Sequence, residues 1–447
     1  MVVADRPLVG ISYNVMRFAA LVLLAACAHA ARLPVSAGTG PSPELPPPAS
    51  SLIPTVKIAE PEGWKAGEAP TAGPSLVVTA FARNLDHPRW IYVLPNGDVL
   101  VAETNAPADR SDDNRGIKGW FFKHFQKKAG AGVPSANRVT LLRDADGDGV
   151  AETRAVFLDH LYSPFGMALV GDTLYIANSN AVIRVPYTAG ALHAGGGPSI
   201  LSALPAGTIN HHWTKNLIAS ADGTKLYASV GSNSNAGENG IDAERERASI
   251  WEIDRRTGAH RIFASGLRNP VGMAWEPETG ALWASVNERD ELGSDLVPDY
   301  MTDVHDGAFY GFPFSYYGQH VDGRVKPTRP DLVQRAVIPD YALGPHTASL
   351  GLASSRGTRL PAPFQNGMFV GQHGSWNRNP RSGYKVVFVP FMAGRPTGQP
   401  IDVLTGFLDE RGKARGRPVG VAIDRRGDLL VADDVGNVIW RVTAAQR

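Results

Sequence analysis

The chain has very little cysteine: one residue, Cys27, in 447. A single thiol excludes an intrachain disulfide framework and a cysteine-based zinc site. Charge of one sign is also missing, since 44 Lys and Arg stand against 43 Asp and Glu. No basic stripe invites nucleic acid. Long hydrophobic runs are absent too. The apolar run over residues 18–26 is too short to span a bilayer. No G-x-G-x-x-G follows a strand and opens a helix, so the nicotinamide fingerprint is lacking. What is present is 48 Gly and 34 Pro with 43% hydrophobic and 19% charged residues. That composition is not a disordered one, and it suits many short strands joined by tight turns.

The short apolar run explains the cysteine. It follows Met16 and Arg17, and Leu24-Ala25-Ala26-Cys27 resembles a bacterial lipoprotein signal, in which the cysteine is lipidated. Residues 1–27 therefore read as a lipoprotein-type signal peptide. Cleavage after Ala28-His29-Ala30 is the rival, and a buried N-terminal helix is the third reading. Residues 28–74, with Pro46-Pro47-Pro48, read as a tether that extends without packing. The expectation is an exported, periplasmic protein that meets the outer membrane only through a lipid anchor.

From residue 75 onward one unit recurs: a polar residue or two, Pro or a substitute, an apolar strand, a Gly turn and a second apolar strand. The copies begin DHPRWIYV at Asp86, YSPFGMAL at Tyr162, NHHWTKNL at Asn210, RNPVGMAW at Arg268, PHTASLGL at Pro345 and RPVGVAID at Arg417. Between copies lie two more strand-like runs, as in Ser249 to Ile253 and His260 to Phe263. Four strands per unit is the size of a propeller blade, and every spacing between successive copies exceeds the roughly 40 residues of a minimal blade. The last unit has only three strands. Residues 76–82 carry the pattern of the missing fourth. The predicted fold is all-β: a six-bladed propeller with four-stranded blades, closed by the N-terminal strand completing the last blade, so that the ring has no open edge.

In a closed ring the residues before each first strand converge on one mouth of the channel. Here they are His87, Arg89, Ser163, His211, His212, Arg268, Asn269, His346 and Arg417. Taken singly, such residues cap blade ends. As a set, three arginines with several histidines point to an anion pocket, since planar guanidinium groups pair with carboxylates or phosphates. The fourth unit adds an acidic loop with Glu288, Asp290, Glu291 and Asp295 after its second strand. Carboxylates and loop carbonyls suit a hard cation such as Ca²⁺, and a solvated acidic turn is the plain alternative. The insertion after it carries Phe309, Tyr310, Phe312, Phe314, Tyr316 and Tyr317. These aromatics sandwich a flat ligand or pack as core. A second acidic loop, with Asp144, Asp146 and Asp148, looks like half of a calcium loop. It has Ala155 at position twelve, so it is not an EF-hand.

The segments GLRNPVGMAW (266–275), NERDELGSDLVPDY (287–300), YGFPFSYYG (310–318), GQHGSWNR (371–378) and GYKVVFVPF (383–391) resemble the sorbosone dehydrogenase-like, pyrroloquinoline quinone (PQQ)-dependent sugar dehydrogenases. Those are six-bladed propellers related to soluble glucose and aldose sugar dehydrogenases. The resemblance implies PQQ and Ca²⁺ as cofactors. It places the catalytic histidine at His212, with Arg268 stabilising charge during hydride transfer. The quinone-contacting pair falls on Arg268 and Asn269, a carboxylate-binding arginine on Arg417, and a further cation on Arg378. His211 stands where the soluble glucose enzymes have an acidic residue. The calcium loop falls on residues 288–295, with backbone oxygens of Glu288 and Arg289 and an acidic side chain, Asp290 or Asp295. The Gly-Pro of those enzymes is Glu288-Arg289 here, and one glutamine of their cofactor pocket has no match near Leu161.

The function so implied is oxidation of a sugar or sugar-derived aldehyde, with His212 as general base and electrons passed to an unidentified acceptor. Two rivals belong to other classes: a Ca²⁺-dependent lactone hydrolase on the same fold, and a non-catalytic surface-binding propeller.

Overall fold

Each of the six repeats forms an antiparallel sheet whose first strand is innermost. The computed structural model describes residues 30–49, 55–110 and 132–445. Residues 1–27, which the sequence reads as a signal peptide, and Cys27 with them, lie outside the described residues. Blade 1 is built from Pro88–Val93, Val99–Glu103, Arg138–Arg143 and Thr153–Leu158. Blade 2 uses Met167–Val170, Thr173–Ala177, Ala181–Pro186 and Ser199–Ala203. Blade 3 uses Leu217–Ala219, Lys225–Val230, Ser249–Asp254 and His260–Ser265. Blade 4 uses Asn269–Trp275, Leu282–Asn287, Pro298–Asp303 and Tyr341–Pro345. Blade 5 uses Ser349–Ser354, Gly367–Gln372, Lys385–Met392 and Ile401–Thr405. The innermost strands touch one another in cyclic order, the last meeting the first, so the sheets close a ring.

Blade 6 takes three strands from the C-terminus, Pro418–Ile423, Leu429–Asp433 and Val438–Ala444, and its fourth, Leu76–Ala82, from the N-terminal side. Ile439 faces Ala82 and Ala444 faces Leu76 in this antiparallel pair. Closure by residues 76–82 is thus as the sequence predicts. The core lies between blades. Phe81, Leu430 and Ile439 of blade 6 pack with Ile91, Val101 and Leu142 of blade 1. Second strands such as Val99–Glu103 and Leu429–Asp433 are buried at every position, because a neighbouring sheet covers each face. Outer strands such as Thr153–Leu158 are exposed at alternate positions.

One expectation is corrected and one open alternative is decided. The residues before the closing strand are not an unpacked tether. Thr39–Gly40 pairs with the outer strand of blade 4, and Thr71–Ala72 with that of blade 5. Ala59 is fully buried, and the Trp64 ring meets Phe407 and Trp440 edge-on. A segment rich in Pro, Ala, Gly and Ser shows no strand or helix periodicity, so composition gives no reason to pack; here backbone carbonyls and sheet edges supply it. We call residues 30–49 and 55–74 the strap. Of the two readings of the blade 4 insertion, its aromatics take the core one. Tyr310, Phe312, Phe314, Tyr316 and Tyr317 are all buried, and none lines the central cavity. Among the described residues no helix is long and apolar enough to cross a membrane.

Candidate active site

The loops before the inner strands and after the second strands meet at one mouth of the channel. They enclose a cavity of about 260 Å³. Of the residues predicted there from the first-strand positions, all but Ser163 line it.

His212 precedes the inner strand of blade 3. Its Nδ1 lies 2.8 Å from Ser232 Oγ and 3.2 Å from the Ser232 carbonyl. The Ser232 hydroxyl donates to the Ser234 carbonyl at 2.7 Å, so it accepts from the imidazole. Nδ1 therefore carries the proton, and Nε2 keeps its lone pair. Burial, with Arg268 and His211 nearby, holds the imidazolium form well below its ordinary range. The result is a neutral histidine with a basic nitrogen. Beneath it sits Gly231, where a Cβ would lie 2.4 Å from His212 Cβ and 2.6 Å from Asn269 Oδ1. Buried Lys215 donates to the His212 carbonyl at 3.2 Å. His211 lines the cavity beside it, the two rings at 83° with centroids 4.6 Å apart.

One wall, on blade 4, is rich in oxygen acceptors. Arg268 donates from Nε to the Asn235 carbonyl (2.9 Å), from Nη1 to the carbonyls of Glu288 (2.7 Å) and Asn287 (3.3 Å), and from Nη2 to Asn235 Oδ1 (2.8 Å). Most of its donors are thus used by neutral groups. Asn269 donates to Asn287 Oδ1 at 3.2 Å and leaves its own Oδ1 without a partner. The Asp290 side chain is 44% exposed because it opens into the cavity. Burial alone would raise its pKa, but His346 and Arg268 outweigh that and keep it ionised. His346 donates from Nε2 to the Gly293 carbonyl at 2.9 Å and has Nδ1 3.5 Å from Asp290. Both ring nitrogens face acceptors, so its pKa rises despite burial. Asp299, buried, is pushed up to about 6 by desolvation against hydrogen bonds from the Ser349 and Glu288 amides.

The opposite wall, on blades 6 and 1, is built on Asp434. Its carboxylate accepts from His373 Nε2 at 2.9 Å and lies 3.2 Å from Arg89 and 3.4 Å from His87. Burial would raise its pKa, yet His373, His87 and Arg89 together hold it well below the carboxylate range. His87 is lowered to about 4, chiefly by burial. Arg89 and Arg417 line this wall, and the Nε of each is buried without a partner.

Other predicted site residues fall elsewhere. The Arg289 side chain is fully buried and bonds to Asp322 and the Pro313 and Ser315 carbonyls, tying down the insertion. The Glu288 carboxylate accepts the amides of Arg289 and Tyr317. Only its backbone and Asp290 remain of the expected cation loop at the cavity. Asp295 and Arg378 are not lining residues. Asp295 accepts the amides of Arg32 and Leu33, and Arg378 donates to the Leu33 carbonyl at 2.8 Å, so both hold the strap. The second acidic loop does converge. Asp144, Asp146 and Asp148, joined by Glu152, bring ligand atoms within 4.8 Å of one another, an arrangement compatible with a divalent cation. Arg426 lies 3.4 Å from Asp144 there. Sequence reasoning passed over Asn105, His373 and Asp434. The signal was available: each stands just after a second strand, the position that singled out Glu288 in the fourth unit.

A family model described as TrAA12-like matches residues 131–308 and 331–445. The chain is 29% identical over 245 residues to a protein of Borreliella burgdorferi, spanning 54% of this chain and 63% of that one. It is 27% identical over 224 residues to the pyrroloquinoline quinone-dependent pyranose dehydrogenase of Coprinopsis cinerea, 40% of this chain and 30% of that one. Over 119 residues it is 28% identical to the aldose sugar dehydrogenase YliI of Escherichia coli, 26% of this chain and 30% of that one. The chain thus spans less than two thirds of these relatives. The fold is shared with the calcium structure of Trichoderma reesei family AA12 (TM-score 0.66, 18% identity, covering 88% of this chain and 99% of that one). It is also shared with the holo PQQ domain of the Coprinopsis cinerea pyranose dehydrogenase (TM-score 0.65, 20% identity, 87% and 100%). With a family model matching well over half its length, this six-bladed propeller belongs to the TrAA12-like family, related to the PQQ-dependent dehydrogenase superfamily.

Proposed function

We propose that the protein oxidises a sugar or sugar-derived aldehyde with PQQ and Ca²⁺. The observation that carries this reading is a neutral histidine with a free Nε2 sharing one cavity with partnerless guanidinium nitrogens. The residues fit a flat polycarboxylate. Arg417 Nε, Arg89 Nε and Asn269 Oδ1 are buried without partners, and Trp213, Trp376 and Leu350 give apolar wall. Arg89 and Arg417 would hold carboxylates. Asp290 and the backbone at Asn287 and Glu288 are the hard oxygen donors nearest the opposite end. Bound there, PQQ supplies a quinone carbonyl that accepts hydride.

The chain's own part is positioning and proton transfer. His212 Nε2 takes the proton of the substrate hydroxyl, while Ser232 keeps the tautomer fixed through Nδ1. Arg268, held by Asn235 and the loop carbonyls, sets a positive charge beside the reacting centre at no cost of reorganisation. Cofactors, substrate class, export and lipid anchoring at Cys27 belong to this proposal, as does transfer of electrons to a separate acceptor.

The test is thermal unfolding with and without PQQ and Ca²⁺, followed by dye-linked turnover of a sugar and aldehyde panel. A ligand at about 100 times its Kd adds about 2.7 kcal/mol to the native state. No shift with either ligand in folded protein overturns the reading. His212→Ala is expected to lower kcat by about 10² to 10⁴-fold while PQQ still binds; unchanged turnover would exclude His212 as the base.

A further inference from the structure

We infer that the strap is a working part of the site, and that Trp64 and the Ala59 carbonyl position Arg417. Arg417 is held by the strap at both ends. Its guanidinium Nη2 donates to the Ala59 carbonyl at 2.6 Å. Its backbone amide donates to Asp433 Oδ1 at 2.8 Å, and the other oxygen of the same carboxylate receives the Trp64 indole N–H at 2.6 Å. Asp433 is fully buried and also accepts Trp440 Nε1 and the Gly436 amide. Two glycines make room for this arrangement. A Cβ on Gly416 would lie 2.1 Å from Asp433 Oδ2, and one on Gly436 would lie 2.3 Å from that oxygen and 2.6 Å from the Trp64 ring. Neither glycine has the left-handed backbone that would explain it otherwise.

The same stretch reaches the cavity by a second route. The Lys57 amide donates to the carbonyl of Trp376, a lining residue, at 2.6 Å, and Arg381 donates to the carbonyls of Lys57 and Ile58. In the loop that precedes Arg417 the Ala414 amide donates to the Glu60 carbonyl of the strap, and the Ala414 carbonyl accepts the Glu62 amide. Arg417 Nε stays without a partner, so the strap fixes the guanidinium while leaving a donor for a ligand. Trp64 touches no ligand itself; it is a positioning residue.

The test uses the full chain with Trp64→Phe, Arg417→Lys and the double variant. Phenylalanine removes the indole donor together with one ring of packing against Phe407 and Trp440, so the coupling to Arg417→Lys, rather than the size of the single loss, reads the link. Two readouts are taken: PQQ titration, which rests on the function proposed above, and amide hydrogen exchange, which does not. Trp64→Phe is expected to speed exchange in both 57–63 and 414–418, with blades 2 and 3 unchanged. It is also expected to weaken PQQ about tenfold, the scale of one hydrogen bond to a charged group. The double variant should lose little more than Arg417→Lys alone, since coupled neighbours are non-additive. Arg417→Lys, which removes the Nη2 donor from the Ala59 carbonyl, should in turn loosen 57–63 even where Trp64→Phe fails to fold. Faster exchange confined to 57–63, or additive losses of affinity, would reduce the strap to mere packing. Failure of the wild-type protein to bind PQQ would overturn the proposed cofactor, and the exchange data would still decide the strap.

Discussion

The two walls of the cavity hold their charges in opposite ways. On blades 6 and 1 a single carboxylate, Asp434, is shared by Arg89, His87 and His373, and guanidinium nitrogens of Arg89 and Arg417 stay partnerless. On blade 4 the arginine is the shared group. Arg268 is used by neutral carbonyls, and the Asp290 carboxylate opens into the cavity. One wall therefore offers donors for an anion, and the other offers oxygens for a hard cation. The cavity is polarised from wall to wall, and a ligand with carboxylates at one end and a cation at the other satisfies both. Arginine content alone would not distinguish the walls.

The largest effect that breaks this contrast is expected from Asp434→Asn. It leaves Arg89 buried without its counter-charge, a loss of about 3–5 kcal/mol, read as a fall in urea midpoint. An unchanged midpoint would mean that solvent in the cavity already compensates Arg89. Gly231→Ala comes next. The added methyl has no room between His212 and Asn269, and overpacking costs about 1–3 kcal/mol. Turnover should fall more than stability, because both neighbours line the site. Asp290→Asn acts on the opposite wall. It should weaken Ca²⁺ about tenfold, or about 1.4 kcal/mol, in calcium-dependent thermal shifts, with PQQ affinity at saturating calcium nearly kept.

The smallest effect is in pH. His87 titrates near 4 when folded against 6.5 ordinarily, so its stabilising contribution is complete above pH 6.5 and is lost as pH falls toward 4. Asp433 is pushed up to about 6 by burial from 3.8, which outweighs its hydrogen bonds; its contribution is complete below pH 3.8 and is lost as pH rises toward 6. The two oppose each other across one window. Asp433→Asn should remove one side, so that melting temperature climbs more steeply from pH 4 to 6.5 than in the wild type.

The blades were legible because each repeats the same local grammar of proline, apolar strand and glycine turn. The closing strand was legible because the last repeat lacks one. The mouth was legible where a rule of position applied, as for His212, Arg268 and Arg417. It failed where the rule was used for first strands only, which hid His373 and Asp434. In the acidic loop residue type does not say which way a side chain turns: Asp290 opens into the cavity, the Glu288 and Arg289 side chains turn into the insertion, and Asp295 turns to the strap. The strap was illegible because it is held by its backbone carbonyls and one tryptophan, and their partners lie far along the chain.

That distance has a consequence for how the protein comes into being. Trp64 and Asp433 are 369 positions apart, and Ala59 and Arg417 are 358 apart. A ribosome makes the strap and the closing strand before the blades and their partners after them. Neither can settle until the last blade has been made. Contacts so remote in sequence form late. Trp64 fluorescence should therefore report the final step of assembly, and competence to bind a ligand at Arg417 should appear with that signal rather than with the earlier growth of β-structure.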